Sequence, residues 1–293
     1  MKHLIFPSIL YKVCRMGTFL LACSLVTACS GWFDVSPKTD LKADEMFSTE
    51  SGFESSLTGI YLLMTDQGAY GGNMSFGLLD QLAQQYDYIP DGANDRAAIY
   101  NYATATSDGF RTKQKLAQSW LKLYNVIANC NNFIKWLDRN GESVIRNVKT
   151  RNTFRAEALA IRAYCHFDLL RAWGPWKYGT DAAAADAPCI PYRMVADNSK
   201  QPLLPAKEIV KLALKDLDEA KTLLEHEKKM RLDNNERQFR FNYHAVNALM
   251  ARIYCYAGDA TNAVACAPAC WRTCSTWGRP APPICARAPP SPC

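Results

Sequence analysis

The chain has 293 residues, 48% of them hydrophobic and 21% charged, a composition that buries a sizeable core and excludes both a disordered tract and a mini-protein held by disulfides. The formal net charge of +6 sits at the two ends, in Lys2, Lys12 and Arg15 and in Arg272, Arg279 and Arg287; between them 28 basic residues balance 28 acidic ones. A neutral body removes the electrostatic case for nucleic acid. Cysteine is just as uneven: of 12, only Cys130, Cys165, Cys189 and Cys255 fall between Cys29 and Cys266.

The first 28 residues read as an export signal. A basic stretch precedes an apolar run from Met16 to Ala28, too short to span a bilayer, and the small residues Thr27 and Ala28 stand directly before Cys29. This resembles a bacterial lipobox, which implies cleavage before Cys29, diacylation of its thiol and attachment to membrane lipid rather than a spanning helix. Leu20-Leu21-Ala22-Cys23 is a second match, but it leaves only a short apolar run after Arg15.

Helical spacing begins at Ser48. Phe53, Leu57, Ile60, Tyr61 and Met64 recur at steps of three and four, with Ser48 or Thr49 as N-cap. A second helix is predicted over Lys113 to Leu137, with Trp120, Tyr124, Ile127, Asn131, Ile134 and Leu137 on one stripe and Asn140-Gly141 as its stop. A third runs from Asn152 to Trp173, directs Ala156, Leu159, Ala163, Phe167 and Leu170 inward, and ends at Gly174-Pro175. After a loop rich in Ala, Asp and Pro, Pro205 opens a helix whose apolar face is Ile209, Leu212, Leu217, Ala220 and Leu224. A charged run then leads to a helix over Tyr243 to Tyr256, a turn at Gly258-Asp259 and a partner helix beginning at Ala263-Val264. With small residues at Ala248 and Ala251 and tyrosines at 254 and 256, this last hairpin resembles a tetratricopeptide unit. No period-two stretch is long enough for a substantial sheet. The expected fold class is mainly α, built from antiparallel helix pairs.

Several stretches together resemble one family, the SusD/RagB outer-membrane glycan-binding lipoproteins. They are Cys29-Ser30-Gly31-Trp32-Phe33-Asp34-Val35-Ser36-Pro37, the Gly59-Ile60-Tyr61 helix, Trp120-x-x-x-Tyr124-x-x-Ile127-x-x-Cys130-Asn131, the helix from Arg155-Ala156-Glu157-Ala158 through Arg162-Ala163 to Trp173-Gly174, and Ala248 to Asp259. The order is that of the family over residues 29–265; the Cys before Asn131 departs from its usual small or apolar residue. The resemblance implies a tetratricopeptide-like superhelix, a surface lipoprotein of the cell outer membrane, and a lid on a SusC-like TonB-dependent transporter that receives captured oligosaccharide.

Bond-breaking chemistry is not expected. His3, His166, His226 and His244 form no His-Glu-x-x-His or paired metal spacing, and no Ser-His-Asp or Gly-x-Ser-x-Gly element is readable; no catalytic residue, metal or cofactor is assigned. Glu157, Arg162 and Asp168 read as buried ion pairing that fixes helix register, and His166 as packed or superficial. Sugar binding needs aromatic faces with amides, carboxylates or guanidinium groups for hydroxyls. The segment with Tyr86, Tyr88, Asn94, Arg96, Tyr100 and Asn101 supplies that mixture beside Pro90-Asp91-Gly92; those tyrosines packing a loop onto the helices is the competing account. Trp173-Gly174-Pro175-Trp176 is read as packing at a helix end.

Residues 266–293 carry seven prolines, no acid and no periodicity, and are expected to break the partner helix, to be disordered and to lie outside the family fold. They read either as a genuine cysteine-rich tail or as a frame-shifted end of a longer family member, with 29–265 its N-terminal part. The expected function is oligosaccharide capture for import; a lipid-anchored helical-repeat scaffold that binds protein, or a non-functional truncated family member, are the alternatives.

Overall fold

A computed structural model describes residues 43–86, 107–230 and 236–274. The signal segment, Cys29, the stretch from Tyr88 to Asn101 and residues 275–293 lie outside the described residues. The chain divides into two units, Met1–Met46 and Phe47–Cys293. The first contributes one helical turn, α1 (Ala43–Met46); the second is helical throughout except for one two-stranded clasp.

In the second unit α2 (Glu50–Met64) starts at Thr49, whose hydroxyl accepts the amide of Gly52 at 3.1 Å, and buries Phe53, Leu57 and Ile60. Turns and the short α3 (Leu78–Leu82) follow. The two long helices, α4 (Ser107–Val144) and α5 (Val148–Trp173), form an antiparallel hairpin with Asn147 as the N-cap of the second, accepting from the amide of Lys149 at 3.0 Å. α5 then packs on α7 (Ala206–Leu223), α7 on α8 (Tyr243–Tyr256), and α8 on α9 (Ala260–Cys274). Between α5 and α7 lie the short α6 (Ala182–Asp186) and the strands β1 (Pro188–Ile190) and β2 (Leu204–Pro205), which pair antiparallel. That pairing closes the base of a loop over residues 191–203.

Three sequence expectations change. α4 does not stop at Asn140-Gly141: the amide of Ile145 bonds the Gly141 carbonyl at 2.9 Å. A Cβ on Gly141 would lie 2.9 Å from Leu137 Cδ1 and 3.5 Å from Arg151 Cδ, so this glycine admits the neighbouring helix rather than ending its own. Pro205 is the N-cap of α7, one position before N1. The partner helix does not break at Cys266 but continues to Cys274. Four alanines between 263 and 269 favour helix there, and Pro268 removes a single i to i−4 bond. Ala248 of the hairpin is exposed, while Ala263 and Cys266 are buried.

One end of the core is aromatic. Phe47, Phe53, Phe133 and Trp136 touch ring to ring, Phe47 stacking on Trp136 at 5.2 Å. α5 runs through the centre with 15 residues buried, far beyond a single stripe. A helix covered on all sides must pair every polar group it carries. At the opposite end Gly258, at φ +76°, turns α8 into α9 against the Gly179 carbonyl. Tyr256 stacks on Tyr178 at 5.2 Å beside it.

Candidate ligand-binding site

The polar residues of α5 fall into three clusters. Glu157 accepts the Tyr61 hydroxyl at 2.8 Å and pairs with Arg237, which also bonds Glu227 at 2.7 Å. Burial pushes the Glu157 carboxyl up, against the pull of Arg237. Asp168 pairs with Arg171 at 3.1 Å and Arg252 at 3.5 Å, and burial pushes it up as well. Arg162 makes a two-pronged bond to Asp216, both contacts at 2.7 Å, and donates to Asn131 Oδ1 at 2.9 Å. The expected ion pairing is therefore present, but each member pairs across to another element rather than along α5.

The third cluster opens towards solvent. Tyr192 donates to Asp216 at 2.7 Å and stacks on His166 with ring centres 3.8 Å apart. The amide of Arg193 donates to His166 Nε2 at 3.0 Å, so that nitrogen bears no proton and Nδ1–H donates to the Arg162 carbonyl at 2.9 Å. Burial lowers the pKa of this imidazole to about 3. His166 is thus packed and neutral, and both nitrogens are used.

The same loop is held twice more from α4. Asn131 Nδ2 donates to the Arg193 carbonyl at 3.0 Å, and the Tyr124 hydroxyl to the Pro191 carbonyl at 2.8 Å. Trp120, one turn before Tyr124, lies 4.9 Å from it ring to ring and meets Trp173 edge-on at 5.2 Å. These contacts frame a shallow cleft of about 270 Å³ lined by Trp120, Tyr124, Pro191 and Arg193. The Arg193 guanidinium bonds the Ser199 carbonyl at 3.0 Å and the Asp197 carboxylate at 2.8 Å, and Gln201 bonds the Ser199 hydroxyl at 2.8 Å. A second cleft of about 510 Å³ lies across α4, lined by Asp66, Gln67, Gly68, Gln118, Leu121, Lys122 and Asn125.

Of the sequence-selected sugar residues, only Tyr86 is among the described ones. It is half exposed and donates to the Phe76 carbonyl. Tyr88, Asn94, Arg96, Tyr100 and Asn101 lie outside the described residues. The Trp173–Trp176 cluster divides: Trp173 packs on Trp120, whereas Trp176 is 87% exposed beneath the Lys177 ammonium. Pro191 and Arg193 were not singled out by sequence. Their signal was indirect, since Asn131, Arg162 and His166 on inward stripes require polar partners that no neighbouring helix position supplies.

The site is suited to binding. Buried Cys130 and Cys165 have thiol pKa values pushed up by burial, Cys130 to about 12, which suppresses nucleophilic thiolate. Among the described residues no group of three or more His, Cys, Asp or Glu side chains is arranged to hold a metal ion, and no helix is long and apolar enough to cross a membrane.

Residues 31–255 match the family model of SusD-like proteins, described as starch-binding and associating with the outer membrane. The chain belongs to the SusD-like family. No functionally curated protein matches it. Solved structures share the SusD-like fold: a SusD superfamily protein of Bacteroides thetaiotaomicron (TM-score 0.59, 19% identity, covering 76% of this chain and 46% of that one) and one of Bacteroides vulgatus (0.59, 22%, 78% and 48%). A SusD-like carbohydrate binding protein of Bacteroides vulgatus also matches (0.60, 17%, 77% and 45%). The chain spans about half the length of these SusD-like structures, and at such identities the likeness establishes the helical superhelix alone.

Proposed function

We propose that this SusD-like chain is a non-catalytic capture protein of the outer-membrane surface that binds oligosaccharide and passes it to a SusC-like TonB-dependent transporter. The observation that carries the reading is the family match over residues 31–255, whose members are described as starch-binding and outer-membrane associated. The lipobox at Cys29 supports anchoring through an acylated cysteine, with the body held at the membrane surface by buried acyl chains. The segment from Tyr86 to Asn101 supplies aromatic and polar groups for sugar hydroxyls, and the described surface adds two open clefts on α4.

The test has two arms. Native gel electrophoresis through embedded polysaccharides is expected to retard the protein in at least one of them, and solubilised membranes are expected to yield a large β-barrel protein with the tagged chain. Cys29→Ser is expected to release the protein from the membrane fraction. Free migration in every polysaccharide, with a protein partner still recovered, would favour a helical-repeat scaffold instead.

A further inference from the structure

We propose that the cleft between Trp120, Tyr124, Pro191 and Arg193 is a preformed subsite for one uncharged pyranose ring, a deepening that rests on the glycan reading above. Three observations on this chain carry it. The first is shape: at about 270 Å³ the cleft falls just below the usual range for small-molecule pockets of about 300–1,000 Å³, which suits a single ring with the rest of the chain in solvent.

The second is rigidity. Residues 191–193 are held by side chains of α4, α5 and α7 through the Tyr124, Asn131, His166 and Asp216 bonds already described. A ligand meeting this wall pays little to order it. Buried groups so fully committed to a surface loop position that loop far more tightly than helix packing requires.

The third is charge. The indole and phenol offer faces for the C–H side of a sugar ring, while the loop beside them brings a guanidinium, a carboxylate, a hydroxyl and an amide in Arg193, Asp197, Ser199 and Gln201. Arg193 is already neutralised by Asp197 at 2.8 Å, so the cleft has no uncompensated cation for a phosphate or a uronic acid. A neutral hexose fits this balance better than an acidic peptide.

The experiment is affinity electrophoresis of the full chain in amylopectin, β-glucan, β-mannan, fructan and polygalacturonate. Retardation by at least one neutral polysaccharide is expected, weakened about tenfold by Trp120→Ala, the loss of one good aromatic contact. Trp120→Phe, which keeps a ring against Trp173, should weaken it by a smaller factor and decides the matter if the alanine variant does not fold. Trp176→Ala, on an exposed ring outside the cleft, should migrate as the parent. Parent-like retardation of Trp120→Phe, and of Trp120→Ala if it folds, overturns the subsite and leaves the glycan reading standing. Retardation by polygalacturonate alone overturns the neutral-ring assignment. No retardation in any gel overturns the glycan reading and the subsite with it.

Discussion

Asn131 donates its side-chain amide to the carbonyl of Arg193 at 3.0 Å, across 62 positions of sequence. Its own oxygen accepts from Arg162 at 2.9 Å, so one buried amide connects α4, α5 and the loop that walls the aromatic cleft. Asn131→Ala leaves both the Arg193 carbonyl and one Arg162 donor without this partner. Unfolding in urea is expected to reveal a loss of about 1–3 kcal/mol, the cost of stranding buried polar groups; a midpoint equal to the parent's would mean that the loop re-pairs elsewhere.

Stability should carry a signature of His166. The imidazole stays neutral in the fold down to about pH 3, against an ordinary 6.5, so between those values the unfolded chain binds the extra proton. Its contribution is complete above pH 6.5 and is lost as the pH falls towards 3, by up to about 1.4 kcal/mol per pH unit. His166→Gln is expected to be less stable at pH 7 yet to show a flatter profile from pH 6.5 to 5, above the main carboxylate range. Parallel profiles for the two proteins would contradict this assignment.

The Arg162–Asp216 pair is nearly inaccessible, with each side chain 8% exposed. Breaking it from one side strands a buried charge, and Arg162→Met should cost about 3–5 kcal/mol. The double variant Arg162→Met, Asp216→Leu is expected to recover part of that loss, because no charge is then left unpaired. Additive losses in the denaturant cycle would show that the two residues act separately.

Gly258 has φ +76°, with the Gly179 carbonyl 2.9 Å from where a Cβ would sit. Gly258→Ala is expected to cost at least the ~1–2 kcal/mol of a left-handed L-residue and to lower the thermal midpoint. Gly258→Asn, whose side chain tolerates that conformation better, should recover part of the shift.

For the segment beyond Tyr86, Tyr88→Ala and Tyr100→Ala are expected to weaken oligosaccharide binding while leaving the circular-dichroism melt in place. Unaltered isotherms from both would remove that segment from the site.

The helices were legible because their apolar spacing is regular: Phe53, Leu57 and Ile60, or Ile209, Leu217 and Ala220, are buried as periodicity requires. Boundaries were less so. Gly141 carries the same local signal whether it caps a helix or makes room for Arg151, and only the tertiary neighbour distinguishes the two. α5 was read as one-sided because its polar residues resemble a solvent face. Glu157, Arg162, His166 and Asp168 are instead buried against partners drawn from other elements, many of them distant in sequence. The cleft was hidden for the same reason: Trp120, Tyr124 and Asn131 were visible as a stripe, but what they hold is the backbone of a loop whose own side chains gave no signal.

The way that loop is held has a consequence for substitution. At Pro191 and Arg193 it is main-chain atoms that meet Tyr124, Asn131 and His166, so the path of the chain is dictated from α4 and α5 and not by the side chain at 193. The guanidinium projecting into the cleft is therefore interchangeable in a way the residues beneath it are not. Replacing Arg193 would present a different chemical group on an unchanged frame, which makes this one position a natural place to re-specify what the cleft accepts.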